Sequence, residues 1–224
     1  WLSDEWGAPR GLLMPNALPL GGLRIDAAAG HFANAEGNPV FLRVLGDADR
    51  IRGTETSLWA LEPESRHGWL FHLASHGLNA LQLRGAPPAS PETLETFAFD
   101  SRRFGLWPLV APVTEPAWRD ALGADAAGLV VAASDASFVV IAEVNGATLA
   151  AAAVDGAAGM IFEQPLLRDE MEILTAFALW ADGVPWFNLA GPARELALAS
   201  PEAHVRARGE GSTLLAHVTA DVPR

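Results

Sequence analysis

The sequence contains no cysteine, no lysine and no tyrosine, and it has no long apolar run. Without cysteine, disulfides, thiolate nucleophiles and Cys-ligated zinc or iron–sulfur sites are all excluded. The basic residues number 15, all of them arginine and scattered, against 27 acidic residues, giving a net charge of −12. Nucleic-acid binding needs clustered positive charge, so we expect no nucleic-acid partner. The most apolar stretches, near residues 147–158 and 173–180, are shorter than the roughly 20 residues of a membrane-spanning helix, so we expect no transmembrane segment in this chain.

The composition is that of a folded protein. Half of the 224 residues are hydrophobic and only 19% are charged, which predicts a globular chain with one sizeable core. The sequence begins at Trp1 and not at a methionine, so we expect a mature or trimmed form, and whether an upstream signal or anchor was removed stays open. A periplasmic or extracellular location is accordingly favoured over a cytoplasmic one.

Three segments follow one another along the chain. Residues 1–21 mix proline, glycine and isolated hydrophobic residues without a period, which predicts an extended N-terminal arm. Residues 22–199 begin with a hairpin whose turn spans residues 34–38 and continue as repeated helix and strand signals. Residues 200–224 alternate around the turn at residues 209–211 and predict a C-terminal β-hairpin packed on the middle segment.

A repeated unit dominates the middle segment. Helix-like stretches end in a glycine, and a short apolar strand follows; examples are Gly77, Gly105, Gly128, Gly159 and Gly183. Glycine tolerates the left-handed conformation just past a helix end, so each unit indicates a helix followed by a strand. Strands that are apolar on consecutive residues are buried on both faces, which predicts a parallel sheet with helices packed outside it.

The predicted elements have the following bounds. Strands are expected at Val40–Leu45, Asn79–Leu83, Leu106–Ala111, Gly128–Ala132, Phe138–Ala142, Gly159–Phe162 and Val184–Leu189. Helices are expected at Arg66–His76, Pro91–Phe104, Glu115–Leu122, Gly146–Val154, Arg168–Asp182 and Pro192–Ala199. Too few residues separate Ala132 from Phe138 for a crossover helix, so we expect this unit to be eroded or irregular.

The order of several short motifs resembles one enzyme clan. LRIDAAAGHFANAEGNPVFLRVLGDAD resembles the start of the two-glutamate (β/α)8-barrel glycoside hydrolases, the cellulase and mannanase-like clan, where a D-G-N-P-V-F-L-R hairpin enters the first barrel strand. HGLNALQLRG resembles the first helix and second strand of the clan, and Glu92 to Pro112 its second helix and third strand. The seventh strand of the clan, with its glutamate, resembles MIFEQP here. The helix that follows it and the eighth strand resemble DEMEILTAFALWADGVPWFNLAGP. The likeness covers roughly Leu23 to Pro192.

The chain also departs from that clan. Such barrels usually run about 250 residues or more, whereas the resemblance here covers roughly 170, so elements in the middle must be shortened or lost. The loss falls at the end of the fourth strand, where the family carries its acid/base glutamate in an Asn-Glu pair. The corresponding GLVVAASDAS offers Ser134 and Asp135, and no Asn-Glu pair occurs in the chain. The expected fold is therefore an α/β one, a compact and incomplete (β/α) TIM-like barrel with an N-terminal arm and a C-terminal β-hairpin.

Two glutamates are the candidate catalytic residues. Glu163 ends a predicted strand on the face where barrels collect their chemistry, and by resemblance it would be the nucleophile of a retaining glycosidase. Retention needs a second carboxyl about 5–5.5 Å away, and the available partners are Glu143 and Asp135. The alternative interpretation, that each carboxylate is a solvated loop residue or a helix N-cap neighbour, is favoured because a fold does not imply a function.

Candidate sugar-binding residues are aromatic and polar. Trp107, Trp186 and Trp59 could stack against sugar rings, although an aromatic on a buried strand is more often a packing residue. By resemblance Trp186 faces the sugar, and Asn188 and Asp135 are further substrate-binding candidates. The histidines at positions 67, 72 and 76 lie in one helix-like stretch that lacks the glutamate of H-E-x-x-H, so we expect no metal and no other cofactor.

Two functional hypotheses follow. We expect a non-catalytic glycosidase-like barrel that acts as an accessory or scaffolding subunit of a larger assembly, or as a carbohydrate-binding module. Its protein partner would cover the apolar arm GLLMPNALPL at residues 11–20. The alternative is an active retaining glycoside hydrolase with Glu163 as nucleophile and Glu143 as acid/base.

Overall fold

The computed structural model describes residues 23–26, 31–34, 36–50, 57–123, 130–131, 138–155, 159–184, 193–196, 203–210 and 213–220. The strands are β1 (Arg24–Asp26), β2 (His31–Ala33), β3 (Pro39–Val40), β4 (Leu42–Leu45), β5 (Ala80–Leu83), β6 (Trp107–Val110), β7 (Val130–Val131), β8 (Phe138–Ile141), β9 (Gly159–Phe162), β10 (Arg194–Leu196), β11 (Ala203–Glu210) and β12 (Thr213–Ala220). The helices are α1 (Pro63–Ser75), α2 (Pro91–Arg103), α3 (Glu115–Leu122), α4 (Gly146–Asp155) and α5 (Arg168–Ala181), and a 3₁₀ turn covers Leu58–Ala60.

The central sheet is parallel and has six strands in the order β7-β6-β5-β4-β9-β8. Helices flank it, so the α/β class predicted from the consecutive apolar residues of the strands is confirmed. β4, the first strand of this sheet along the chain, lies between the second strand, β5, and the last, β9. A closed barrel is not seen, because no pairing between the edge strands β7 and β8 occurs among the described residues.

The two faces of the sheet carry separate apolar clusters. Side chains from all five helices pack on one face, against strand residues such as Leu45, Leu81 and Phe162. The other face is covered by side chains of the strands themselves and of the N-terminal hairpin; its buried members are Leu23, Phe32, Leu42, Val44, Ala80, Trp107, Leu109, Phe138 and Ile161. Alternate residues of each strand therefore enter different clusters, as the pleat of a strand requires.

Glycines end two of the helices as predicted. Gly77 and Gly105 follow α1 and α2 with φ of +84° and +67°, which is the left-handed conformation expected just past a helix end. Gly159 has a different role, because it is the first residue of β9. A Cβ there would be 2.3 Å from the carbonyl oxygen of Leu42, so glycine permits the close approach of β9 to β4.

Two buried arginines form ion pairs between packed elements. Arg43, on β4, donates to the carbonyl oxygen of Gly77 and forms a 2.8 Å ion pair with Asp182 at the end of α5. Burial lowers the pKa of Arg43, and the charge of Asp182 acts in the opposite direction. Arg66 of α1 is paired with Asp100 of α2 at 2.8 Å. These pairs join helices to the sheet and to each other.

Two antiparallel sheets lie outside the parallel one. β1, β2 and β3 form the N-terminal sheet, and the ring of Phe32 lies 5.4 Å from that of Phe138. β10, β11 and β12 form the C-terminal sheet, whose last two strands pair over eight residues. β11 and β12 pack on the alanine-rich helix α4, and Arg206 forms a 2.7 Å ion pair with Asp155 at its end. The small side chains of α4 permit this close approach.

Some predicted elements differ from the structure. The helix predicted at Pro192–Ala199 is wrong, because Arg194–Leu196 forms β10 and pairs with β11. Its helix-compatible composition is overridden by a tertiary strand pairing. The strand predicted at Val40–Leu45 is interrupted at Phe41, where the chain passes from the hairpin to the parallel sheet. The predicted arm at residues 1–21 and the predicted strand beyond Val184 lie outside the described residues.

Candidate functional site

The loop after β4 is held by a side chain that follows β9. The amide nitrogen Nε2 of Gln164 lies 3.0 Å from the carbonyl oxygens of Gly46 and Asp47 and 3.1 Å from that of Arg50. Asp47 has φ of +50°, an uncommon backbone conformation for a residue with a side chain. The two N–H donors of the Gln164 amide lie within hydrogen-bond distance of three carbonyl groups of this turn, so they join the loops after two neighbouring strands.

A buried carboxylate joins the same turn to the end of β5. Asp49 is 6% exposed and accepts hydrogen bonds from the backbone N–H groups of Arg84 at 2.9 Å and Gly85 at 3.1 Å. The indole N–H of Trp118 on α3 donates to the carbonyl oxygen of Gly85 at 2.9 Å. The Arg84 side chain forms an exposed 2.8 Å ion pair with Asp47, which contributes little stability in water. Sequence analysis missed this network, although Arg84 directly follows the buried strand β5.

The candidate catalytic glutamates follow two neighbouring strands. β8 and β9 are paired in parallel, with Ile141 opposite Phe162 at their carboxyl ends. Glu163 comes directly after β9, and its backbone N–H donates to the carbonyl oxygen of Ile141 at 3.3 Å. Glu143 comes two residues after β8, and both glutamates are exposed. The two glutamates therefore lie at the same edge of the sheet, offset by one residue along neighbouring strands.

Glu143 takes part in the cap of a helix. Its carboxylate accepts a 3.0 Å hydrogen bond from the side-chain amide of Asn145. The other end of that amide accepts from the backbone N–H of Thr148 at 2.9 Å, in the first turn of α4. The Thr148 hydroxyl lies 2.7 Å from the carbonyl oxygen of Glu143. Glu143 thus belongs to a local structure that begins α4.

The candidate sugar-binding residues are only partly described. Trp107 is the first residue of β6, is 7% exposed and belongs to the apolar cluster away from the helices. It lies about 10 Å along the strand from the carboxyl end, given a rise of about 3.3 Å per residue. Asp135, Trp186 and Asn188 lie outside the described residues. Trp59 packs edge-on against Phe97, with ring centroids 4.6 Å apart.

Two of the three histidines in and just after α1 contact neighbouring helices. His67 contacts Asp100 of α2 at 2.6 Å, and His76 contacts the hydroxyl of Thr175 on α5 at 2.9 Å. The rings of His72 and His76 lie 4.7 Å apart. Burial lowers the pKa of both; the positive charge of His76 lowers that of His72 further. Within the described ranges, no three His, Asp or Glu side chains converge as a metal site would require.

Comparisons with known proteins provide no relative for this chain. No protein-family model, no curated protein and no solved structure matches it. In the part of the chain that the structure describes, none of the helices is both long and apolar enough to cross a membrane.

Proposed function

We propose that the chain is a non-catalytic, glycosidase-like (β/α) barrel that is incomplete, and that it acts as an accessory or scaffolding subunit or as a carbohydrate-binding module. The strand order supports the barrel. Every step along the chain, from β4 to β7 and from β8 to β9, moves in the same direction across the sheet. When every right-handed crossover moves to the next strand in the same direction, all the helices lie on one face of the sheet, as they do in a barrel. A doubly wound sheet reverses direction and has helices on both faces.

The length of one connection supports the same proposal. Only six residues join Val131, the end of β7, to Phe138, the start of β8. Fully extended, they reach at most about 25 Å. If the sheet were flat, its two edge strands would be five strand spacings, or about 24 Å, apart. The paired registers also place Val131 about 17 Å farther along the strand direction than Phe138. The direct distance would then be about 29 Å. A flat sheet is therefore too wide for this connection, which supports a sheet that curls as a barrel does.

The hydrogen bond between Glu143 and Asn145 is the observation that supports the non-catalytic part of the proposal. An acid/base carboxyl must be free to exchange a proton with the leaving group, and enzymes shield such carboxyls from water. Glu143 is exposed and bonded to Asn145 at the start of α4. The sequence has no Asn-Glu pair to supply the acid/base residue of the family.

An active retaining glycosidase is the second candidate. The observation in its favour is that Glu143 and Glu163 follow adjacent strands whose ends are in register. Neighbouring strands are about 4.8 Å apart, and Glu143 is one residue farther past its strand than Glu163; retention needs carboxyls about 5–5.5 Å apart. In this case Glu163 would be the nucleophile and Glu143 the acid/base.

Hydrolysis of a panel of aryl glycosides by the purified chain separates the two candidates. We expect no turnover above that of the Glu163→Gln variant. If the wild-type chain cleaves a glycoside, and Glu163→Gln abolishes cleavage while the exposed-surface control Glu64→Gln does not, the non-catalytic proposal is wrong.

Sugar binding is tested by calorimetry with oligosaccharides of the β-glucan and mannan classes. As a carbohydrate-binding module, the chain is expected to bind at least one, and Trp186→Ala is expected to abolish binding. Trp180→Ala, at an exposed position of α5, is the matched control and should keep the affinity. If no sugar binds, and the chain migrates in a native extract at its own mass, both forms of the proposal fail.

A further inference from the structure

Two histidines lie together at the carboxyl end of α1. His72 is in the last turn of the helix, and His76 directly follows it. The backbone N–H of His76 still donates to the carbonyl oxygen of His72 at 3.3 Å, so the helical spacing extends to this position. Residues four apart share one face of a helix, and the centroids of the two rings are 4.7 Å apart. Two zinc-binding imidazoles have the same spacing in the pattern H-E-x-x-H.

A hydrogen bond to α5 determines which ring nitrogen of His76 is free. The Thr175 hydroxyl donates its single hydrogen to the carbonyl oxygen of Met171 at 2.8 Å. It therefore accepts from the Nδ1–H of His76, which lies 2.9 Å away. A neutral imidazole with its hydrogen on Nδ1 carries its lone pair on Nε2. Metal-binding histidines are oriented in this way, by a hydrogen bond from the ring nitrogen that does not bind the metal.

The end of α1 is held close to α5, and the two rings can be reached from solvent. A Cβ at Gly77, the next residue, would collide with that of Ala178 on α5, so the two helices approach closely here. His72 is exposed and His76 is partly exposed. An ion from solution can therefore reach both side chains without a change in the packing of the helices.

The charges around the pair suit a cation. Partial burial lowers the pKa of both histidines, while the negative charge of Glu172 on α5 acts on the pKa of His76 in the opposite direction. A metal ion binds the neutral imidazole, so lowered pKa values keep both rings available as ligands at neutral pH. The net charge of −12 attracts cations to the protein as a whole.

We propose that Nε2 of His76 and a ring nitrogen of His72 together bind one divalent transition-metal ion, such as Zn²⁺ or Cu²⁺, with water in its remaining positions. Two imidazoles bound at about 2.0–2.1 Å, with an angle of about 90–110° at the metal, have ring centroids roughly 4.5–5.3 Å apart. The observed separation of 4.7 Å lies within this range. Imidazole favours Zn²⁺, Cu²⁺ and Ni²⁺, whereas Mg²⁺ prefers oxygen ligands.

The number of protein ligands makes this an open site. The glutamate of H-E-x-x-H is the general base of a protease and not a ligand, so its absence here leaves the two imidazoles intact as a chelate. No third His, Asp or Glu converges with the pair in the described part of the chain, so the closed arrangement of a structural zinc site is not formed. This inference does not rest on the proposed function.

Calorimetric titration of the chain, prepared without a histidine tag, with Zn²⁺ tests the proposal. One ion should bind per chain. His72→Gln and His76→Gln should each weaken binding at least about tenfold, because each leaves a single imidazole. His204→Gln, which removes an exposed histidine of β11, is the matched control and should keep the affinity. Mg²⁺ should not bind, which separates the imidazole chelate from general attraction to the acidic surface.

Thr175→Val tests the hydrogen bond that orients His76. This variant keeps the shape of the side chain without the hydroxyl and should weaken Zn²⁺ binding by about 10–100-fold. Electron paramagnetic resonance of the Cu²⁺ form should show coupling to two imidazole nitrogens in the wild-type chain and to one in His72→Gln. The proposal is overturned if Zn²⁺ does not bind, if Mg²⁺ binds equally well, or if any of the variants at positions 72, 76 and 175 keeps the wild-type affinity.

Discussion

Replacing Asp100 by alanine should strongly destabilise the protein. Asp100 lies on α2 and is 2% exposed at its side chain, where it accepts from Arg66 at 2.8 Å and from His67 at 2.6 Å, both on α1. Arg66 is itself only 7% exposed, and its other described contact is a 3.2 Å hydrogen bond to the carbonyl oxygen of Leu61. Without Asp100, a buried guanidinium keeps its charge but loses its counter-ion.

The expected cost follows from that burial. Removing one partner of a buried ion pair typically destabilises by about 3–5 kcal/mol, because the remaining charge is uncompensated. Replacing both partners by apolar residues of similar size is often close to neutral. The double variant Arg66→Met with Asp100→Leu should therefore be more stable than Asp100→Ala, and the coupling energy of the pair should exceed about 2 kcal/mol.

Urea unfolding with linear extrapolation measures these differences. Asp120→Ala removes an exposed acid from α3 and should change the free energy of unfolding by less than about 0.5 kcal/mol. If Asp100→Ala costs less than about 1 kcal/mol, or if the double variant is the sum of its single variants, the buried pair is not what holds α1 to α2.

Two further predictions concern packing and pH. Gly159→Ala should lower the free energy of unfolding, measured in urea, by about 3 kcal/mol, because the new Cβ would meet the backbone of Leu42. The control Gly146→Ala, where a Cβ would have no atom within 4 Å, should be neutral or slightly stabilising. Equal effects of the two variants would contradict the close approach of β9 to β4. Burial and the charge of His76 lower the pKa of His72, so protonation favours the unfolded chain below about pH 6.5, and stability should fall as the pH decreases through that region. His72→Gln should flatten the difference in unfolding free energy between pH 7.5 and 5, and an unchanged pH dependence would refute this.

Local patterns predicted the helices well. Glu115–Leu122 was predicted with the bounds that α3 has, and the helix before Gly105 differs by one residue at its end. Proline at a helix start and glycine after a helix end act on their own backbone, so they can be read without a tertiary structure. The exception is Arg194–Leu196, a helix-compatible segment that pairs with β11. Pairing with a distant strand is not encoded in the local pattern.

The candidate site was predictable in outline only. A glutamate directly after an apolar strand indicates the carboxyl edge of the sheet, and Glu163 follows β9 as expected. The bond of Glu143 to Asn145 is local, yet it depends on where α4 begins. The three contacts of Gln164 with the loop after β4 could not be foreseen, because they join residues more than a hundred positions apart.

The sequence by itself determined an acidic, cysteine-free α/β chain and where most of its strands and helices lie, because run length, glycine and proline act locally. Only the tertiary structure decided that β4 lies between β5 and β9, that α4 packs against the C-terminal sheet, and that no described strand pairs with the second side of β12. Those arrangements depend on which distant apolar faces bury each other and which backbone groups remain unpaired, and neither is a property of any single segment.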